Sequence, residues 1–565
     1  MPRPAGRRTA AVVAAVAVTA GLASACTSDE GEQVPTIGYA IAGDVPTYNP
    51  ATSTGRWSGA LAGLSRVLPG FSYTDPSGSV VADTDIGKAA PVPGDALAVT
   101  YSFAESAVWS DGVPMTCDDL VLTWIAHSGR APEFDVASTA GYRDVDRIDC
   151  APGDKTATVI FGQGRSVADW KSLFGAGEVL PAHVAGAAAG VDDTTAALVD
   201  GDADATARIA DFWNTGWTLT PGEPVDAARF VASGPYRLEA VDESGVLELV
   251  PNDAWWGNRP RTERIEVYPR SADVAALTAD GDVEIVDAVG TRSGDLPDGF
   301  ALTDVVSPAV EQLVLGGGLD DPALRRAFAS CVPRDALFAE HGSPGTGAPP
   351  ASGPGSGVAD ARFTPRNSLV YGQVAGVADG RYRAGDSAAA ADALSGAGSD
   401  GATVRIGYRA PDDRRAAVVA RIAAACAPAG IVVEDASSPD FTPAALADGA
   451  VDAVLGAEGG AQGAAGSQPA TRRLQALRSG ERANIGGFSS VRYDELVDQL
   501  ATAASSSARL GLATDAERIL WDELPTLPLF DQFRTVAIAD GTEAATPNPT
   551  ETGTGWNMDR WVFRR

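Results

Sequence analysis

The sequence predicts an α/β protein with more than one lobe. A chain of 565 residues, 45% of them hydrophobic, has a globular composition and is too long for a single core. A helical pattern over residues 412–427 lies between two short apolar runs, 404–408 and 431–434, which predicts a βαβ unit. Residues 236–250 instead alternate apolar and polar side chains, as a half-buried antiparallel hairpin does.

The hairpin has a well-marked turn and ending. Residues 242–245 (Asp-Glu-Ser-Gly) supply turn chemistry, and Gly245 can adopt the positive φ that the turn needs. Asn252 and Asp253 break the second strand, and Trp255-Trp256-Gly257 follows. From these residues alone, an ordinary hairpin with a buried aromatic pair remains an equally open interpretation.

A second segment, residues 108–125, joins a turn to a helix. Ser110-Asp111-Gly112 forms the turn, and Thr116 is placed to cap a helix with Asp119 three residues later. Apolar side chains then recur at helical spacing as far as Ile125, so the helix is expected to have a buried face.

The order of these motifs resembles one family. Residues 234–260 read G-P-Y-x-L, a turn, a strand and N-x-x-W-W-G-x-x-P, and residues 109–119 read W-S-D-G-x-P-x-T-x-x-D. Both patterns are similar to those of the bacterial extracellular solute-binding proteins of family 5, which serve peptide-type ABC importers. Residues 47–50 and 484–496 resemble further motifs of that family in the same order, so the resemblance covers nearly the whole chain after the leader.

The resemblance implies a two-lobe periplasmic-binding-protein-like fold (type II, peptide-binder class) with an extra inserted α+β subdomain. The expected boundaries are a signal peptide over 1–25, a lipid-anchored tether over 26–35, lobe I over 36–72, 231–309 and 523–565, the inserted subdomain over 73–230, and lobe II over 310–522.

The N-terminus has the pattern of an export signal. Arg3, Arg7 and Arg8 precede an apolar run over residues 10–20, which is too short to span a membrane comfortably. Small residues then lead to Cys26, similar to the lipobox of a bacterial lipoprotein, so we expect lipid on Cys26 and a position on the outer face of the cell membrane. Plain secretory cleavage, with Cys26 incidental, is the alternative.

The remaining cysteines are even in number. With Cys26 lipidated, four are left in an oxidising setting, and we predict disulfides Cys117–Cys150 and Cys331–Cys426. Each pair falls inside one proposed subdomain, whereas crossed pairings would tie separate lobes together. Four buried free thiols are the alternative.

The candidate ligand-binding residues come from segments that face the cleft or cross between the lobes in the family. The loop after the first strand is one such segment, and the glycine run that follows a predicted strand over residues 310–315 is another. Glycines permit close approach of a backbone or bending at a hinge. An acidic residue in lobe II pairs with the peptide amino terminus in many peptide binders of the family, and one carboxylate here lies in the matching region. The candidates are Gly43, Asp44, Trp57, Gly316, Gly317, Gly318 and Glu458.

The predicted function is that of the substrate-binding lipoprotein of an ABC import system. It would act as a monomer, capture a peptide or similar small solute, and deliver it to permease subunits. A net charge of −31 argues against nucleic acid and against electrostatic adhesion to an anionic membrane, which leaves the lipid anchor as the only membrane contact. The sequence shows no metal-ligand spacing or nucleophile motif, so we predict neither cofactor nor catalysis.

Two alternatives stay open at this point. The same fold could serve a cell-surface sensor or interaction lipoprotein without a permease, or, less favoured, an exported hydrolase. The acidic segment over residues 192–211 matches a calcium loop poorly, and a solvated acidic loop is the favoured interpretation.

Overall fold

The chain forms two α/β lobes that share a long sheet, and lobe I carries an inserted α+β subdomain. The computed structural model describes residues 33–165, 170–288, 298–342, 357–399, 401–457, 473–503 and 505–565. The domain boundaries given above stay predictions.

The strands of the described residues pair into the sheets discussed below. They are β1 Gln33–Val34, β2 Thr36–Ile41, β3 Ser72–Thr74, β4 Val80–Ala82, β5 Gly87–Val92, β6 Ala98–Phe103, β7 Val145–Asp149, β8 Thr156–Phe161, β9 Tyr236–Val241, β10 Leu247–Pro251, β11 Arg264–Tyr268, β12 Ile285–Ala288, β13 Phe300–Leu315, β14 Ala402–Gly407, β15 Ile431–Asp435, β16 Ala453–Ala457, β17 Thr526–Ala539, β18 Thr542–Glu543 and β19 Val562–Arg564.

The helices of the same residues pack on both lobes and in the subdomain. They are α1 Ser53–Arg56, α2 Ala60–Leu64, α3 Cys117–His127, α4 Ala182–Ala189, α5 Thr194–Val199, α6 Ala203–Asp211, α7 Val274–Asp280, α8 Pro322–Cys331, α9 Arg334–His341, α10 Tyr371–Ala375, α11 Ser387–Gly396, α12 Asp413–Cys426, α13 Ala444–Ala447, α14 Val491–Leu500 and α15 Ser506–Glu523.

One ten-stranded sheet runs through both lobes, in the order β15-β14-β16-β13-β17-β12-β2-β11-β10-β9. The strands β12, β2, β11, β10 and β9 belong to lobe I, and β15, β14 and β16 belong to lobe II. Between these two groups lie β13 and β17, which pair antiparallel along most of their length. The lobes are therefore joined by two long strands, and the ladder shifts register between residues 306 and 310, where a bend is expected.

The hairpin of residues 236–251 forms the edge of this sheet. Leu238 and Leu249 are paired and buried, as the alternating pattern indicates. At the turn, the Asp242 carboxylate accepts hydrogen bonds from the backbone N–H groups of Ser244 and Val246, both at 2.8 Å. Gly245 adopts φ +83°, a conformation that favours glycine.

The inserted subdomain has its own four-stranded sheet, β5-β6-β8-β7, with α3 packed beside it. At the start of α3, the Asp119 carboxylate accepts hydrogen bonds from the Thr116 backbone N–H (3.0 Å), the Trp109 indole (3.2 Å) and the Ala182 backbone N–H (2.8 Å). Burial raises the pKa of Asp119 to about 6 against the effect of these bonds. The turn and the helix start are thus held together by one carboxylate.

Two disulfides lie within single parts of the fold. The structure joins Cys117 at the start of α3 to Cys150, and Cys331 at the end of α8 to Cys426 at the end of α12. These are the pairs proposed from the sequence, and their Cα–Cα separations are 5.8 Å and 4.9 Å.

A buried ion pair links the crossing strand β13 to lobe II. Glu311 is fully buried, and its carboxylate lies 3.0 Å from Arg414 and 3.0 Å from Arg415, both on α12. Burial alone would raise the pKa of Glu311, but the two guanidinium groups outweigh it and lower this pKa to about 2.

A second buried carboxylate, Glu284 in lobe I, has only weak favourable contacts to offset the effect of burial on its pKa. Glu284 accepts a hydrogen bond from the Gly38 backbone N–H at 2.8 Å, and the Arg565 guanidinium lies 3.8 Å away. Burial raises the pKa of Glu284 to about 7 despite these two contacts.

Two expectations from the sequence need correction. Residues 194–199 and 203–211 form α5 and α6, because Asp193 and Asp202 accept hydrogen bonds from the N–H groups of residues 196 and 205 and cap these helices. The acidic loop interpretation was therefore wrong. The strand expected over 310–315 begins at Phe300.

Candidate functional site

A cavity of about 880 Å³ lies between the two lobes. Lobe I and its inserted subdomain line one side with residues between 53 and 58 and with Ala137. Lobe II lines the other side with Gly317, residues between 441 and 449, and residues 481–487. The lining comes mostly from short helices and from loops beyond strand ends. Binding residues are commonly found on such segments, which the neighbouring sheet holds in position.

Trp57 lines the cavity and contacts the opposite lobe. It follows the one-turn helix α1, which is capped by Thr52: the Thr52 hydroxyl accepts a hydrogen bond from the Gly55 backbone N–H at 3.0 Å. A Cβ built on Gly456 of β16 would lie 3.2 Å from the Trp57 ring. The indole therefore lies close to the lobe II strand, and a side chain at residue 456 would require the ring or the strand to shift by a few tenths of an ångström.

Asp44 and Arg409 form an ion pair between the lobes. Asp44 follows the first strand of lobe I, and Arg409 lies just beyond β14 of lobe II and lines the cavity. The neighbouring Gly43 accepts a hydrogen bond at its carbonyl from the backbone N–H of Arg270, at 3.3 Å. Asp44 therefore contacts lobe II, while Gly43 is bonded within lobe I.

The three glycines after β13 are packed against Asp452. The backbone N–H of Gly316 donates to the Asp452 carbonyl (3.1 Å), and that of Gly318 donates to the Asp452 carboxylate (3.0 Å). Gly317 has φ +53°, and a Cβ there would lie 2.6 Å from the Val451 carbonyl oxygen. The close backbone approach that the glycines permit is an approach to lobe II itself, and Gly317 also lines the cavity.

Two predicted positions lie outside the described residues. Glu458 belongs to residues 458–472 and Cys26 to residues 1–32.

Several lining residues were not among the candidates from the sequence. Glu481 of lobe II accepts hydrogen bonds from the Thr139 hydroxyl (2.6 Å) and from the Arg143 guanidinium (3.4 Å), both in the inserted subdomain. Arg482 donates to the carbonyl of Pro132 at 2.9 Å. No local signal marks these residues, because each becomes a cavity residue only when segments far apart in the chain meet.

The loop of residues 484–487 was noticed for its sequence motif but was given no role in the site. The Asn484 side chain accepts a hydrogen bond from the Phe488 backbone N–H (3.0 Å) and donates to the carbonyls of Phe488 (2.6 Å) and Arg478 (3.2 Å). These bonds fix a tight loop that presents Gly486 and Gly487 to the cavity.

The lining offers an aromatic ring, hydroxyl groups and charged groups that are partly paired across the lobes. Among the described residues, no group of three or more histidine, cysteine, aspartate or glutamate side chains could hold a metal ion. Within the same residues, no helix combines the length and the apolar character that crossing a membrane requires.

Comparison with known proteins gives a consistent pattern. Residues 91–468 match the family described as bacterial extracellular solute-binding proteins, family 5 Middle. The chain is 40% identical over 564 residues to the Uncharacterized lipoprotein Rv2585c of Mycobacterium tuberculosis, covering 99% of this chain and 97% of that protein.

Solved structures resemble the chain at low sequence identity. The Periplasmic EDTA-binding protein EppA superposes with a TM-score of 0.74 at 20% identity, over 97% of this chain and 100% of that one. The oligopeptide-binding protein AppA from Bacillus subtilis, in complex with a nonapeptide, gives a TM-score of 0.70 at 12% identity, over 95% and 100%. At these identities the likeness shows the fold alone.

Proposed function

We propose, from the premise that the chain belongs to family 5 of the bacterial extracellular solute-binding proteins, that it captures a peptide or similar small solute between its lobes and delivers it to ABC permease subunits. The observation that carries the proposal is the cavity of about 880 Å³ lined by both lobes. This volume lies in the range of small-molecule sites, roughly 300–1,000 Å³.

The connection between the lobes suits capture by closure. Two antiparallel strands, β13 and β17, join the lobes, and such a connection permits hinge motion around a ligand. The ion pair Asp44–Arg409 and the hydrogen bonds of Glu481 form between the lobes, so opening would break them. A solute that contacts both sides would favour the closed form by its differential affinity.

Peptide is the preferred solute class because the lining combines an aromatic face with charged and hydroxyl groups, a mixture that suits a backbone with ionised ends. Related folds are named for EDTA binding and for a nonapeptide complex, so both a chelate and a peptide belong in any test. Glu458 stays a candidate for the peptide amino group, and Gly43, Asp44, Trp57 and the three glycines at 316–318 stay candidates for ligand contact.

The binding test uses the exported chain without lipid and a panel of short peptides, sugars and metal chelates. A solute that binds only the folded chain stabilises it by about 2.7 kcal/mol at one hundred times Kd, which thermal-shift measurements detect. We expect at least one peptide to bind, and Trp57→Ala to weaken it about tenfold. Trp256→Ala is the matched control, because Trp256 is also half-buried but bonds to Asp85 outside the cavity. Equal binding by Trp57→Ala and the parent chain would show that Trp57 does not contact the solute. Failure of every panel member to bind would contradict the proposal.

The transport and anchoring parts need tests in the cell. Loss of labelled-solute uptake after deletion of the gene is expected for an import component, whereas unchanged uptake would favour a sensor or interaction role. We propose that the chain is a monomer, exported by residues 1–25 and held on the outer face of the cell membrane by lipid on Cys26. Cys26→Ser should then release the protein into the medium, and retention of this variant at the membrane would contradict the anchor.

The start of the described chain is compatible with such a tether. Strand β1 pairs with β19 near the C-terminus, with Gln33 opposite Arg564. Gln33, the first described residue, therefore lies on the edge strand of a three-stranded sheet.

A further inference from the structure

A second cavity, of about 580 Å³, lies between the inserted subdomain and lobe II. Its walls are residues between 126 and 143 on one side and residues 478–482 on the other. The lining contains four arginines and a single acidic side chain: Arg130, Arg143, Arg478, Arg482 and Glu481. In a chain with 43 basic and 74 acidic residues, this concentration of positive charge runs against the overall balance.

Arg478 has unused hydrogen-bonding capacity in this cavity. One of its terminal nitrogens lies 3.3 Å from the Asp498 carboxylate. Its Nε is buried and no described residue accepts a hydrogen bond from it, but the same burial closes Nε off from a group in the cavity. Four of the five N–H donors of a guanidinium group lie on the terminal nitrogens, and Arg478 directs one of them at Asp498, which leaves donors for an acceptor in the cavity.

The other arginines are held in place by weak or neutral partners. Arg130 donates to the Val145 carbonyl at 2.9 Å, and its guanidinium lies 5.0 Å from the centre of the Trp124 ring. Arg482 donates to the Pro132 carbonyl, and its nearest carboxylate, Asp135, is 3.9 Å away. Backbone carbonyls and an aromatic face orient these two groups, and only Arg482 has a carboxylate nearby, at a long distance, so most of their charge can act in the cavity.

Arg143 shares Glu481 with Thr139, and the distance of 3.4 Å from its terminal nitrogen to the carboxylate is long for a charged pair. Within the lining, four positive charges therefore face one negative charge that is already bonded twice. Outside the lining, Asp135, Asp144 and Asp498 offset part of this positive charge.

We propose that this second cavity binds an oxyanion of the phosphate or sulfate type. The planar forks of several arginines match the oxygens of such a group, and arginine is the side chain best suited to this recognition. The anion would contact the inserted subdomain and lobe II at once, and so would favour the closed form. The site can be tested with inorganic anions, whichever solute the first cavity takes.

The two cavities share Glu481 and Arg482, so the oxyanion has two possible sources. It is either a free inorganic anion or the anionic end of a solute whose main part occupies the first cavity. A free anion would bind together with the solute, and each would raise the affinity of the other by the same factor. A solute-borne group would instead displace the inorganic anion.

The test is calorimetric titration of the lipid-free exported chain with sodium phosphate and sodium sulfate, against sodium chloride at equal ionic strength. Binding of phosphate or sulfate but not chloride is expected. Because hydrogen bonds to charged groups contribute about 1.5–3 kcal/mol, Arg478→Gln and Arg130→Gln should each weaken the anion about tenfold or more. Glu481→Gln should strengthen anion binding. The amide oxygen can still accept the hydrogen bond from Thr139, and the carboxylate charge that repels an anion is removed.

Arg147→Gln is the matched control, because Arg147 lies in the same subdomain but is exposed and pairs with Asp146 and Asp149 outside the cavity. Melting curves of every variant report whether it folds. No preference for phosphate or sulfate over chloride, the same loss in Arg147→Gln as in Arg478→Gln, or weaker binding by Glu481→Gln would overturn the proposal.

Titrating phosphate in the presence of the best-binding panel solute separates the two sources, and both outcomes support an oxyanion site. Trp57→Ala separates this proposal from the proposed function. It should lose solute affinity and keep phosphate affinity, because Trp57 lines only the first cavity.

Discussion

The contact between Trp57 and Gly456 gives a direct test of how the lobes close. Gly456→Ala adds one methyl group on the lobe II strand β16, which faces the Trp57 ring of lobe I. The new carbon would lie 3.2 Å from Cζ3 and 3.6 Å from Cη2 of the indole. Ordinary carbon–carbon contact begins at about 3.5 Å, so the ring or the lobe must move by a few tenths of an ångström.

The free-energy cost of Gly456→Ala depends on how tightly its surroundings are packed. Overpacking a close-packed core costs roughly 1–3 kcal/mol. Trp57 is half-buried and borders a cavity, so part of the strain is relieved, and a cost of about 1 kcal/mol to the closed form is expected. Because solute binds to the closed form, its affinity should fall about fivefold.

The assay is a double-mutant cycle on solute affinity, using the best-binding solute of the panel. Gly456→Ala should cost about fivefold in the parent chain and close to nothing in the Trp57→Ala background, because the clashing ring is absent. Gly511→Ala is the control, since a Cβ there meets open space. An equal penalty in both backgrounds would show that the two residues do not touch in the solute-bound form, and the geometry argued here would be wrong.

Three further predictions concern stability. Glu311→Gln should cost about 3 kcal/mol in urea unfolding, because buried Arg415 then keeps only Asp412, 3.7 Å away, as a counter-charge and Arg414 loses its carboxylate partner; a change below about 1 kcal/mol would contradict the ion-pair argument. The free energy of unfolding should fall as pH rises from about 4.5 to about 7, since folded Glu284 keeps a proton that the unfolded chain releases, and Glu284→Gln should flatten this slope. Non-reduced peptide mapping should link Cys331 to Cys426, and replacing both with alanine should cost about 2–4 kcal/mol, whereas free thiols at these positions would refute the pairing.

Elements with short-range signals could be predicted from the sequence. The hairpin at residues 236–251 and the helix α12 each carry their pattern, turn or cap within a few residues. In contrast, β13 begins ten residues before the expected start. Polar residues such as Asp304 and Ser307 interrupt its apolar pattern, and the strand is completed by pairing with β17 more than two hundred residues later.

The helices α5 and α6 were wrongly predicted to be an acidic loop, and the reason differs from that for β13. Aspartate at the start of a helix stabilises it by accepting hydrogen bonds from unpaired N–H groups, and the same residue is common in solvated loops. Asp193 and Asp202 serve as caps, and α6 buries Ile209 and Ala210 against the subdomain. Weighting the apolar positions after each aspartate would have favoured helices over a loop.

The candidate site was predictable only in part. Trp57 and Gly317 were proposed from segments that the family resemblance marks, and both line the cavity. Arg409 and Glu481 were missed because their roles arise from partners in the other lobe or in the inserted subdomain: Asp44 for the first, and Thr139 for the second.

The same reasoning explains why the second cavity escaped the sequence. The segment around Arg130 is not basic, whereas residues 472–482 hold four arginines and one glutamate, a local basic signal that was not used in the prediction. The charges of the two segments add only because the inserted subdomain folds back onto lobe II through contacts such as that between Arg482 and the Pro132 carbonyl. A site created by closure shows only part of its pattern in any one segment, and it is therefore best sought among charges that the closed form brings together.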